Sequence, residues 1–395
     1  MQLRLRSATR DASAPSPRLR RALHRFARAC GCALLWPAVA FAQTQPSVPA
    51  AQPLVQWTPG SGVPEWTAVG QIVVHSGLLY VTQPQDHVIL VLDAKGTLLR
   101  RIGRKGAGPG EFRSIGALGM KGDTLWAHDY ILRRVTFFAL TGVVRRTTVL
   151  EVPPIEGLSP PTVAGMSESG DVVLLFATTP GDPSSERMPV KVFRRDGSLR
   201  EITSVRAPSG ATRVPPSGMY VNGEYQRFFG GGGVVMVDNR TISSFDAASN
   251  GRVTQQDFAY DGARGASRQF SLPVVRVPAA LAARLQGEIL QRLTKVARSA
   301  DVARSLMPVA FPMPSTFPVL LGAARLPSGD LLVQTPSSNE TLVVWQVLNR
   351  AGTMRPVFTT ERAFRPMGMG GGRLWGTVQD ADGLDVIVAY ALPFG

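Results

Sequence analysis

Cysteine is nearly absent from this chain, with two in 395 residues, Cys30 and Cys32. Both lie within the first 42 residues. The rest of the chain therefore forms no disulfide and offers no thiol to a nucleophile or a zinc site. Histidine is almost as scarce. Beyond His24 there are only His75, His87 and His128. Lysine is rare among the 43 basic residues, which are mostly arginine. A transmembrane helix needs about 20 consecutive apolar residues, and the run from Ala29 to Phe41 is too short to supply one. No GxSxG nucleophile elbow occurs, and the glycine-rich stretch Gly103–Gly110 lacks the Gly-Lys-Ser/Thr ending of a phosphate loop.

The N-terminus reads as an export signal over residues 1–42. Eight arginines fall in its first 28 residues with one acid, Asp11, followed by the apolar stretch and the small-x-small site Ala40-Phe41-Ala42. The expected mature start is Gln43, in the periplasm or outside the cell. A lipoprotein reading lacks the small apolar context upstream of Cys30 and Cys32. The full-chain charge is +15. Much of it sits in that leader, and the other arginines are scattered without the interleaved aromatics of a nucleic-acid track. Nucleic acid is not an expected partner.

What the chain does have is repetition. Glycine-led strands recur as GLLYVTQ (77–83), GDTLWAHD (122–129), GDVVLLFA (170–177), GGVVMVDN (232–239), GDLLVQT (329–335) and GRLWGTV (372–378). After each comes a second apolar run and, in most units, a Gly or Asp turn. Most of the spacings suit a four-stranded unit, and those around the fourth copy are stretched by insertions. Such a unit cannot bury its apolar faces alone and must stack on copies of itself. The expected fold is all-β, a six-bladed propeller of four-stranded antiparallel blades over 67–395. The sixth unit runs out of strands after Leu392, and Pro53–Trp57, in the segment 43–66, is expected to supply its outer strand and close the ring. One helical insertion is expected, from Pro278 to about residue 304–306. Leu281, Leu285, Ile289, Leu293 and Val296 form its apolar stripe, and a proline-rich strap follows over 307–318.

The stretch GAGPGEF (106–112), the strand LWAHD (125–129), and Arg134-Val135 followed by Phe137-Phe138 resemble the NHL-type repeat of six-bladed β-propellers, and more narrowly the secreted bacterial members of that group. The resemblance covers about residues 53–394. It implies the fold, and it leaves lyase, lactonase, polymer-binding and scaffold roles open.

Within such a ring the A–B and C–D turns share one face, and here they are short and glycine-rich. The B–C loops and D–A crossovers share the other and are long, so binding residues are expected there. The candidate ligand-binding set is Asp86, His87, Arg104, Lys105, His128, Asp129, Tyr130 and Arg133, with Arg104, Lys105 and Arg133 expected to meet an anion. Lys121 and Arg195, on the short-turn face, are expected to matter little. Tyr220 and Tyr225 are further contact candidates. Trp126 and Trp375 hold matching places in two repeats and read as core. No catalytic residue, metal ligand or cofactor is expected. Calcium would need carboxylates such as Asp86, Asp129, Asp182, Asp380 and Asp382 to converge.

The leading expectation is an exported, non-enzymatic binding or scaffold protein, monomeric, recognising a peptide, a protein or an anionic glycan on the crossover face. The alternatives are a metal-dependent lyase or lactonase at the tunnel mouth and a structural component of an envelope assembly docking through the helix.

Overall fold

Strands in the middle of a stacked blade touch a neighbouring blade on each face, so both faces must be apolar. The sequence shows this directly: Val88–Leu92 (VILVL) is buried at all five positions. The outermost strands meet water, as in Val144–Val149 (VRRTTV), where both arginines, one threonine and Val149 are exposed. A computed structural model describes residues 48–176, 187–206, 233–310 and 313–393 of the chain. The proposed export signal and its cleavage point, with Tyr220, Tyr225 and Asp182, lie outside these residues.

Six four-stranded antiparallel sheets form a six-bladed β-propeller. Blade two follows the expected pattern closely. Its strands A to D are Ile115–Lys121, Thr124–Asp129, Arg134–Ala139 and Val144–Val149. The ring closes as the repeat count requires. Pro53–Trp57 pairs antiparallel with Asp385–Ala391, with Trp57 opposite Ile387 and Val55 opposite Ala389. The Trp57 and Trp375 rings lie 5.4 Å apart across that joint. Trp66 Nε1 donates to the Asp385 carbonyl at 2.6 Å, and the Val69 amide donates to the Asp385 carboxylate at 2.8 Å, so the last blade is also tied to the entry of the first.

A separate apolar cluster fills each seam between blades. Trp126 and Trp375 sit in two of them. The seam between blades two and three holds Trp126, Phe137, Leu150, Leu174, Phe176 and Phe193. Trp126 fits there because strand A opposite carries Gly119. A methyl group on that glycine would stand 2.3 Å from the indole ring, closer than packed carbon atoms approach.

Two sequence expectations are corrected. In blade four, the run at 232–239 is not the second strand. Val234–Val237 is the innermost strand, followed by Ile242–Ala247, Arg252–Phe258 and Arg264–Ser271. The turn at 248–251 is thus a B–C turn and not a C–D turn. The error came from reading one short apolar run as a neighbour of the same length, which periodicity cannot separate. The insertion is also two helices rather than one. Helix α1 (Ala279–Ala297) ends at Arg298, which adopts the left-handed conformation with φ 53°, and α2 (Ala300–Ala310) follows. The stripe residues Ile289 and Leu293 close on Ala303 of α2 and on Met313. The apolar face expected to cover the propeller or dock a partner is covered by its own hairpin. The first residues of the expected strap, 307–310, belong to α2.

Candidate functional site

The end of strand B and the B–C loop of blade two carry four of the candidate residues in succession: His128, Asp129, Tyr130 and Arg133. What fixes them is Asp129. One carboxylate oxygen accepts the amides of Arg113 at 2.6 Å and Ser114 at 3.2 Å, and the other accepts those of Ile131 at 3.0 Å and Leu132 at 2.9 Å. The side chain is 1% exposed. It pins the entrance of strand A to the B–C loop, and its acceptor capacity is spent on backbone. Its geometry is that of a positioning residue for its neighbours, not of a ligand contact.

The positioned loop forms one wall of a cavity of about 450 Å³ between blades two and three. The volume lies in the range of small-molecule sites. His128, Tyr130, Ile131 and Arg133 come from blade two, and Leu174 and Phe176 from blade three. The segment 152–161 between the blades, ValProProIle and its neighbours, supplies four prolines to the lining. Its prolines leave few amides to be satisfied, and the Leu158 amide closes a turn on the Ile155 carbonyl at 3.1 Å. Tyr130 and Ile131 are about half exposed at the rim. Arg133 has φ 47°, and its carbonyl accepts the Leu150 amide at 2.7 Å, which locks the loop onto the outgoing strand.

His128 is 4% exposed, yet it reaches this cavity. His128 Nδ1 and the Tyr130 ring both stand near Gly116, at 3.6 and 3.4 Å from where its Cβ would be. Burial pushes the His128 imidazole down to about 4, opposed by the charge of Asp129. It is therefore neutral at physiological pH, so one ring nitrogen donates and the other accepts.

The remaining candidates do not join this cavity. Arg104 pairs with Glu111 at 2.8 Å and is 80% exposed. The glycine-rich stretch is held as a crossover along blade two: Arg134 donates to the carbonyls of Ala107, Gly108 and Glu111 at 2.6–2.8 Å. Lys105 is exposed in the same stretch. Neither lines the cavity that Arg133 lines, so the expected three-cation anion site at Arg104, Lys105 and Arg133 is not assembled there. Asp86 is exposed and accepts a hydrogen bond from Thr67 at 3.3 Å. His87 has φ 59°, and its Nδ1 is buried without a hydrogen-bond partner among the described residues. His75, on the opposite face, pairs with Asp123 at 3.2 Å. Among the described residues, no three His, Cys, Asp or Glu side chains stand close enough together to hold a metal ion.

The sequence candidates include His128, Tyr130 and Arg133 of the cavity lining, and leave out Ser159 and the apolar residues. Pro153, Pro154, Ile155, Leu158, Pro160 and Pro161 line it; their segment reads in the sequence as one of the long crossovers of the expected working face, with none of these residues singled out. The signal available was their composition: an exposed crossover rich in proline and aliphatic residues has an apolar surface to place somewhere.

The class that these features define is the six-bladed β-propeller with a cavity at one blade seam. A family model described as a 6-bladed beta-propeller matches residues 65–152, which include blades one and two and one wall of the cavity. No curated protein matches the chain. Solved structures that resemble it include a protein of Bacteroides fragilis described as exported, at 12% identity and TM-score 0.46, covering 87% of this chain and 93% of that one. A calcium-binding protein, regucalcin, from Agrobacterium tumefaciens is similar at 12% identity and TM-score 0.43, over 87% and 95% of the two chains. A streptogramin B lyase is similar at 12% identity and TM-score 0.39, over 85% and 97%. At such identities no activity passes from any of them to this chain. No helix among the described residues is long and apolar enough to cross a membrane.

Proposed function

We propose that this is an exported, non-enzymatic propeller of the NHL-like, secreted bacterial kind, monomeric, that binds an apolar side chain of a peptide or protein partner at the crossover end of the seam between blades two and three. The observation that supports this reading is the cavity itself: about 450 Å³, walled mainly by proline and aliphatic side chains, with a neutral histidine, an exposed tyrosine, Arg133 and Ser159 as its polar contacts. Such a mixture of apolar wall and few polar groups suits an uncharged group and gives it orientation. Tyr130 and Ile131, half exposed, are placed as the rim anchors. An anionic glycan is less well served here, because Arg133 is the only cation in the lining.

The test is selection from a displayed peptide library against the immobilised mature protein, followed by titration of the selected peptides. The expected result is enrichment of peptides with an aliphatic or aromatic anchor, and a tenfold or greater loss of affinity in Tyr130→Ala and Ile131→Asp without a change in melting temperature. Selected peptides that bind those variants as well as the parent would reject this site.

A further inference from the structure

The same seam has a second cavity, at its other end. It measures about 510 Å³ and is lined by Arg146 and Leu150 of blade two, by Gly170 and Val172 of blade three, and by the turn from Phe193 to Gly197. It runs along the outer strand of blade two to Glu151, and through Gly170 in the A–B turn and Arg194–Gly197 in the C–D turn of blade three it reaches the short-turn face, where binding was not expected. Two cationic nitrogens and the side-chain stem of a third basic residue come close to that glycine. A Cβ there would stand 3.5 Å from Lys121 Nζ, 3.6 Å from Arg146 Nη2 and 3.8 Å from Arg195 Cδ. The backbone there favours glycine, since Gly170 has φ +98°.

Like charges gathered in one place repel one another unless an anion compensates them. The nearby carboxylates are held by other hydrogen bonds and pairs, and Asp171 and Glu168 offset part of the repulsion at Lys121. Glu168 pairs with Arg240 at 3.1 Å. Asp171 accepts the Ser169 hydroxyl at 2.8 Å and the Arg195 amide at 3.3 Å. Asp196 accepts the Ser198 amide at 2.8 Å within its own turn. Glu151, one residue beyond Leu150, is the remaining acid in the lining. Among the described residues, Lys121, Arg146 and Arg195 make no ion pair with any of these. Burial first, then Arg146 and Arg195, holds the Lys121 ammonium below its ordinary value, against the opposite pull of Asp171 and Glu168, and burial with Arg195 does the same to Arg146. Arg146 is held in place by stacking 3.8 Å above the Phe137 ring. Beneath the cations the floor is apolar, formed by Val135, Val172 and Phe193.

We infer that this cavity binds an organic phosphate or sulfate monoester, its oxyanion between Lys121, Arg146 and Arg195 and its apolar portion on the floor of Val172 and Phe193. Guanidinium and ammonium donors around one point are the chemistry that recognises a multiply charged oxyanion. The volume exceeds what a bare oxyanion fills and leaves room for an ester group. The site is separate from the one proposed above, although Leu150 lines both cavities.

Calorimetric titration of the mature protein with phenyl phosphate tests this, with inorganic phosphate and phenol as comparison probes. Phenyl phosphate should bind at least tenfold more tightly than inorganic phosphate, and phenol should show no measurable heat. The triple variant Lys121→Gln, Arg146→Gln, Arg195→Gln should lose at least tenfold in affinity for phenyl phosphate. Arg195→Gln alone changes one exposed turn residue and should lose about threefold, so the question stands even if the triple variant does not fold. Arg104→Gln and Tyr130→Ala should bind phenyl phosphate as the parent does. The inference fails if inorganic phosphate binds as tightly as phenyl phosphate. It fails equally if Arg195→Gln has no effect, or if Arg104→Gln weakens binding as much.

Discussion

The two ends of the seam between blades two and three are built from the same strands and are chemically opposite. At the crossover end, prolines and aliphatic residues surround a histidine that burial keeps neutral. At the short-turn end, the Lys121 and Arg146 nitrogens and the stem of Arg195 come close to a glycine whose left-handed backbone disfavours a side chain. Between them lies a single apolar cluster, and Leu150 borders both cavities. The difference teaches that a blade seam is not one surface. Strand direction sorts its residues to two mouths, and each mouth takes its chemistry from the loops that happen to end there.

The most forceful way to break the comparison is to remove the partition. Leu150 is 4% exposed and packed in the seam cluster. Leu150→Ala should cost about 3 kcal/mol by the usual transfer and cavity terms and should couple the two mouths. Urea unfolding would measure the cost. A loss below about 1 kcal/mol, at the low end of single-mutation effects, would mean that the seam collapses around the gap and that the two cavities are not held apart by this residue.

A second experiment isolates the apolar end. His128 is lowered in the fold from 6.5 to about 4, mainly by burial. Between these values the unfolded chain binds the proton and the folded protein does not, so the contribution to stability is present above pH 6.5 and is lost as pH falls. The slope should be about 1.4 kcal/mol per pH unit and the total roughly 3 kcal/mol. Unfolding free energies from pH 7 down to pH 4, compared between the parent and His128→Gln, check this. Parallel curves would show that the histidine is not held neutral by burial.

The smallest effect sharpens the contrast from outside the seam. Arg104 is exposed, and its pairing with Glu111 lies at the surface, where ion pairs contribute little. Arg104→Ala should leave the melting temperature unchanged within error and alter ligand binding at neither mouth. A marked loss of peptide binding would return the glycine-rich crossover to the working face and undo the assignment of the crossover cavity.

The sequence determined a good deal by itself. Periods of apolar strands separated by glycine turns required a stacked repeat. The last repeat lacked an outer strand, and Pro53–Trp57 was the segment available to complete it. Trp126 and Trp375, at matching places in two repeats, read as core and are core. These conclusions held because burial on both faces of a blade imposes a local pattern that no other segment needs to confirm. Only the tertiary structure decided the rest. Blade four was read one strand out of phase, because short apolar runs look alike once an insertion breaks the spacing. The helical stripe was visible, but its cover was α2, and the break at Arg298 comes from a left-handed residue that periodicity does not mark. His128 and Arg133 could be named from loop position. That Arg104 stands apart from them, and that Asp129 spends its carboxylate on four amides, depends on where the chain crosses from one blade to the next. Lys121, Arg146 and Arg195 lie in three different turns or strands, far apart in sequence. Their meeting at Gly170 is a product of two blades packing side by side, and no local pattern encodes it.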